Sequence, residues 1–151
     1  TAPWVMVKSA WAGVKDVFRK LTFRSPYYIA VVGQTDETAC MNKPDSEAGF
    51  RNLIPDGKSH NWRNLCPARI VLILPFYRPI STLGKIKSPC LLVNATKDTL
   101  FSPKTIYKAA KKIKDVKLVH LQCGHFDPYK GKWFHKALAV ELDFFKSKLL
   151  G

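Results

Sequence analysis

Residues 89–125 read PCLLVNATKDTLFSPKTIYKAAKKIKDVKLVHLQCGH, and the organisation of the chain follows outward from them. Pro89-Cys90-Leu91-Leu92-Val93-Asn94-Ala95 is a short, almost continuously apolar run, the pattern of a strand covered on both faces by helices. Thr96-Lys97-Asp98 leaves it as a polar loop. Ser102-Pro103 opens a helix, with serine as the cap and proline in the first turn, and that helix is predicted to run to about Ile113. Val116–Leu121 predicts the next strand, and Gln122-Cys123-Gly124-His125 leaves it. A closing helix is predicted over Gly131–Leu149, with Phe134, Leu138, Leu142, Phe145 and Leu149 on a broad apolar side.

A strand–helix–strand unit of this length makes its two strands parallel and its crossover right-handed. Both strands then end at the same edge of the sheet, where open α/β sheets place their ligands. Asp98 stands just past the first strand and His125 just past the second. An aspartate that orients a histidine is the acid–base pair of a Ser-His-Asp relay: the carboxylate fixes the tautomer and stabilises the imidazolium, and the ring takes the nucleophile's proton. Asp127 ranks below Asp98 as the acid and is expected to hold the histidine loop instead.

Upstream, residues 4–21 read as an amphipathic helix, with Trp4, Val7, Trp11, Val14, Phe18 and Leu21 recurring at three- and four-residue intervals. This aromatic stripe is expected to be core, and the helix to stop before Ser25-Pro26. Between 22 and 82 the sequence is turn-rich and irregular. Tyr27–Val32 reads as extended. A short helix is expected from Pro44 to Phe50 with Asp45 as its cap, a turn at Pro55-Asp56-Gly57, and a second helix from Asn64 to Pro75. Two regions result: 1–83, helical at first and then irregular, and 84–151, a strand–helix–strand–helix succession.

Composition excludes several classes. In 151 residues no stretch approaches a membrane span, and 46% hydrophobic with 24% charged residues is globular composition. The formal charge of +14 invites a nucleic-acid reading. The cations, however, are mostly lysine and spread along the chain, and base readout favours arginine. Lys104, Lys108, Lys111 and Lys112 are expected to form a solvated helix face, so nucleic acid is not expected as a partner. The four cysteines form no CxxC and no zinc-finger spacing. Cys90 reads as a buried free thiol, the compartment as reducing and cytoplasmic, and neither metal nor cofactor is expected. His60, His120 and His135 read as surface or structural residues, and Trp133 as a packing anchor.

The segments Ile86–Val93, Asp98, Ser102-Pro103, Gly124-His125-Phe126-Asp127-Pro128-Tyr129 and Leu142-Asp143-Phe144-Phe145 resemble the C-terminal part of the α/β-hydrolase superfamily, in its aminopeptidase- and esterase-like branch. The resemblance implies a partial α/β-hydrolase fold: a helical cap segment, then the last two parallel core strands flanked by helices, with Asp98 as the acid and His125 as the base. Chain order in that superfamily is Ser, then Asp or Glu, then His, and the order here fits the last two members.

One element departs from the pattern. No Gly-x-Ser-x-Gly elbow surrounds any of Ser9, Ser25, Ser46, Ser59, Ser81, Ser88, Ser102 or Ser147, and no cysteine stands in such a context. The chain is therefore expected to represent the C-terminal half of a serine hydrolase acting on a small-molecule or peptide substrate, inactive alone. It is expected to bind its missing N-terminal half, or a second copy, through an exposed sheet edge and the Trp4/Trp11 helix. The alternative is a non-catalytic basic binding or scaffold module.

Overall fold

The computed structural model describes residues 2–54 and 61–149. The turn expected at Pro55-Asp56-Gly57 and the residue His60 lie outside the described residues. The chain forms two compact units, Thr1–Arg78 and Pro79–Gly151, where the sequence placed the change between 83 and 84.

In the first unit, α1 spans Pro3–Leu21 with Pro3 in its first turn, where a missing N–H costs nothing. It ends where expected, ahead of Ser25-Pro26, and the Thr22 hydroxyl closes it by donating to the Phe18 carbonyl at 3.0 Å. Strand β1 (Tyr28–Val32) lies between β2 (Ala39–Met41), parallel to it, and β3 (Cys66–Pro67), antiparallel to it. Helix α2 is Ser46–Arg51. Asp45 occupies its N-cap position without a side-chain cap bond, and the Ser46 hydroxyl accepts the Lys43 N–H at 3.1 Å.

The helix expected over Asn64–Pro75 is replaced by β3, the single turn α3 (Ile70–Ile73) and a 3₁₀ turn over Leu74–Phe76. Asn64 explains the change. Its Oδ1 accepts the N–H groups of Val31 and Val32, both at 2.9 Å, and its Nδ2 donates to the Val32 carbonyl at 2.8 Å. An asparagine committed to the backbone of β1 cannot begin a helix, and Pro67 is tolerated because the sheet margin needs no donor there.

The aromatic stripe of α1 is not core within this unit. Trp4, Val7, Trp11, Val14, Phe18 and Leu21 are exposed, and the buried side is Val5, Ala12, Gly13 and Asp16. Small residues let α3 approach closely: a Cβ on Gly13 would lie 2.7 Å from Leu72 Cγ. At the next turn stands a polar clamp. Asp16 is fully buried. Its Oδ2 accepts the Arg69 N–H at 2.9 Å and Arg69 Nε at 2.7 Å. Its Oδ1 accepts Arg69 Nη2 at 3.1 Å and the Tyr27 N–H at 2.8 Å.

In the second unit, β4 (Cys90–Ala95) and β5 (Val116–Leu121) pair in parallel, in register from Cys90↔Val116 to Ala95↔Leu121. Helix α4 (Pro103–Ala110) connects them. It stops short of Ile113 because the N–H groups of Lys112 and Ile113 bond three residues back, to Ala109 and Ala110, which tightens the last turn. Helix α5 (Gly131–Leu149) opens at Gly131, whose φ of +59° favours glycine. Ala95, Leu121, Cys123 and Ala137 form the core, with Val93 and Trp133 packed on it. Again the expected apolar side is not the buried one. Ala137 and Phe144 are buried, whereas Phe134, Leu142, Phe145 and Leu149 are exposed. Cys90 is half-buried rather than buried. No helix among the described residues is long and apolar enough to cross a membrane.

The Asp16 clamp sets a stability prediction. Burial alone would raise the Asp16 pKa, and it is the largest single influence. The Arg69 side chain, the N–H groups of Arg69 and Tyr27 and the Arg69 charge together outweigh it and hold the carboxyl below the ordinary 3.8. The stabilisation is thus complete above that ordinary value and is lost as pH falls through the lower folded value. Replacing Arg69 by Ala strands a buried charge and should cost about 3–5 kcal/mol in urea denaturation of the first unit. Asp16→Asn should flatten the acid limb of its stability curve.

Candidate active site

Parallel pairing brings the loops after β4 and β5 to one edge, and there Asp98 and His125 meet. Asp98 Oδ2 lies 2.8 Å from His125 Nδ1, with side-chain exposures of 11% and 24%. The loop after β4 is tied to the second strand as well as to its own, since the N–H groups of Thr96 and Lys97 bond to the carbonyls of Leu121 and Cys123. The Thr96 hydroxyl also donates to Leu121.

The other carboxylate oxygen of Asp98 is committed to its own loop. Oδ1 accepts the N–H groups of Leu100 at 2.7 Å and Phe101 at 2.9 Å. This bracing is an Asx turn, legible in Asp98-Thr99-Leu100-Phe101 because an aspartate readily caps the N–H groups two and three residues ahead. The sequence reading did not use that signal. With one oxygen pinned, the second faces the ring in a fixed direction. A carboxylate at Nδ1 selects the tautomer that carries its proton there and leaves Nε2 as the basic nitrogen.

Asp127 does not contact the imidazole. Its Oδ2 accepts the Gly124 N–H at 2.7 Å and so fastens the turn that carries His125, the supporting part expected of it. Two rings flank His125: Phe126 edge-on at 4.8 Å and Phe101 tilted at 5.6 Å between centroids. Phe101 was not singled out in the sequence, where nothing marks it apart from any loop aromatic. Asp98, Phe101, Ile106, His125, Phe134 and Leu138 line a cavity of about 410 Å³. His125 therefore sits at a mainly apolar pocket of the size that takes a small organic group.

The remaining candidates fall elsewhere. His120 lies on β5, contacts Asn94 Nδ2 through Nδ1 at 3.2 Å and stacks on Tyr107. His135 is exposed on α5 against Phe134. Lys104, Lys108 and Lys111 are exposed on and just after α4, and Lys112 Nζ donates to the Ile80 carbonyl. No cluster of three or more His, Cys, Asp or Glu side chains suited to a metal occurs among the described residues.

The parallel pair, its crossover helix and the closing helix make this part of an α/β-hydrolase fold. No protein-family model matches the sequence. Among characterised relatives, quorum-quenching protein AidA of Acinetobacter baumannii (strain MDR-ZJ06) is 28% identical over 144 residues, covering 95% of this chain and 47% of that protein. Among solved structures, DcsB in complex with its substrate analogue aligns at a TM-score of 0.76 and 15% identity, covering 98% of this chain and 52% of that one. The α/β hydrolase GrgF from Penicillium sp. sh18 aligns at 0.69 and 17% identity, covering 99% and 51%. The chain thus spans about half the length of the relatives it matches.

Cys123, fully buried beneath the histidine loop, reports on the integrity of this edge. Burial first, then the charges of Asp127 and Asp98, push its thiol pKa up. At neutral pH it should react with iodoacetamide far more slowly than the half-buried Cys90. Asp127→Ala, which frees the Gly124 N–H, should speed its labelling in a timed alkylation read by peptide mass.

Proposed function

We propose that this chain supplies the acid and the base of a serine hydrolase. The observation that carries the reading is the 2.8 Å contact between Asp98 Oδ2 and His125 Nδ1 at the shared edge of two parallel strands. In the reaction, a serine hydroxyl contributed by sequence outside this chain gives its proton to His125 Nε2 as its oxygen attacks the substrate carbonyl. The protonated ring, stabilised by Asp98, passes that proton to the leaving group as the acyl-enzyme forms. Water then repeats the sequence to release the acid. Ester, amide and peptide bonds all suit this frame, with a small molecule or peptide as substrate. The aromatic and aliphatic lining beside His125 favours an apolar group next to the scissile bond. Residues 1–83 form the cap-like segment and the return to the core, and 84–151 the end of the core. A reducing, cytoplasmic setting suits the free thiols.

The same reading gives β4 a further neighbour. Its pairing with β5 occupies one edge, and an unpaired edge is a ready template for another strand. The segment that carries the serine is inferred to pair along the other. In hydrogen exchange, the β4 amides directed away from β5 should exchange quickly in the chain alone. They should become protected in a protein extended upstream by coding sequence with a Gly-x-Ser-x-Gly elbow.

Activity separates the possibilities. With a nitrophenyl ester, the chain alone should turn over no faster than its His125→Ala variant. The extended protein should be active, and Asp98→Asn in it should lower kcat by roughly 10⁴-fold, by leaving the wrong tautomer. Turnover by the chain alone that depends on one of its own residues would overturn the divided-site reading. An extended protein indifferent to both Asp98 and His125 would overturn the relay itself.

A further inference from the structure

Cys40 and Cys66, separated by 26 residues in sequence, bring their Sγ atoms to 3.2 Å in the first unit. They come from the two outer strands of the three-stranded sheet, β2 and β3, and meet beside β1, where Cys66 Sγ also lies 3.9 Å from the Ala30 carbonyl. Both thiols are free and half-buried, packed beside the cluster of Ala12, Ile29 and Ala68. A disulfide bond is about 2.05 Å long and holds its Cα atoms about 4.4–6.8 Å apart, so closure draws the sulfurs together by about 1 Å and pulls in the strands that carry them. The two thiols differ in access. Cys40 opens on a groove of about 590 Å³ with Ser9, Asn42 and Leu72 on its walls. Cys66 is not part of that lining, and burial, then contact with Cys40, pushes its pKa up to about 12.

We propose that Cys40 and Cys66 form a dithiol site that is oxidised reversibly by low-molecular-weight disulfides of the glutathione type. Cys40, the accessible partner, attacks as its thiolate. Its sulfur bonds to one sulfur of the reagent, the reagent's S–S bond breaks, and one thiolate leaves and takes up the proton that Cys40 released. The Cys66 sulfur, already at contact distance, then attacks the Cys40 sulfur of the mixed disulfide. The Cys40–Cys66 bond forms, and the second reagent thiolate departs with the Cys66 proton. Two protein thiols are oxidised and one disulfide is reduced to two thiols. The high pKa of Cys66 makes the second step the slow one, because the thiolate is the attacking form. The bond would staple β2 to β3 across β1. Both cysteines belong to the first unit and the Asp98–His125 pair to the second, and the dithiol chemistry does not rest on the proposed hydrolase function.

The test uses the whole reduced chain in glutathione buffers of graded redox poise, acid-quenched and alkylated with N-ethylmaleimide. Intact mass and peptide maps are then read. Oxidising buffers should remove two of the four alkylatable thiols, with the loss mapped to a Cys40–Cys66 linked peptide, no retained glutathione, and full recovery on returning to excess thiol. Cys66→Ser should instead stop with glutathione held on Cys40, while Cys40→Ser should lose the fast reaction. Four alkylatable thiols at every poise would overturn the proposal. So would a stable glutathione adduct on the unaltered chain, or a linkage involving Cys90 or Cys123. The readout on the unaltered chain stands even if a variant fails to fold.

Discussion

The parallel registration of β4 with β5 is the constraint on which the candidate site depends. Residue for residue from Cys90↔Val116 to Ala95↔Leu121, it makes both strands finish at one edge, so the loops that follow emerge side by side. An antiparallel pair would have sent Asp98 and His125 to opposite ends of the sheet. A slip of one residue would have turned the strands' side chains to the wrong faces and carried the buried Ala95, Leu121 and Cys123 out of register. The apolar packing of α5 through Ala137 beneath this edge and the 2.8 Å contact above it are thus two consequences of one ladder.

Rigidity at that edge comes from carboxylates with divided duties. Asp98 spends one oxygen on the N–H groups of Leu100 and Phe101 and the other on His125. Asp127 fastens Gly124, next to His125. The same economy appears in the first unit, where buried Asp16 joins α1 to the segment before α3 and to the residue before β1. In each case a short acidic side chain replaces hydrogen bonds that irregular backbone would otherwise leave unmade. Asn64 does the corresponding work at the end of β1.

Both long helices bury their small residues and expose much of their large apolar ones. Val5, Ala12 and Gly13 on α1, and Ala137 on α5, are buried. Trp4, Trp11, Phe18, Leu142 and Phe145 face outward. Exposed apolar area of this extent marks surfaces built for contact.

What the sequence determined alone was the succession of elements after residue 89 and the placement of Asp98 and His125 just beyond two strands, because apolar runs, a Ser-Pro helix start and polar loop residues are local signals. It also carried the order of Asp98 before His125 and held no Gly-x-Ser-x-Gly motif. Only tertiary structure decided which helix faces are buried, since a 3.6-residue period marks an amphipathic face but not the partner that will cover it. Tertiary structure likewise made Cys66-Pro67 a strand in place of a helical turn, because Asn64 bonds to residues 32 and 33 positions away in sequence. The meeting of the Cys40 and Cys66 sulfurs belongs to the same class: β2 is only three residues long, too short for any periodicity, and its place is set by pairing with β1.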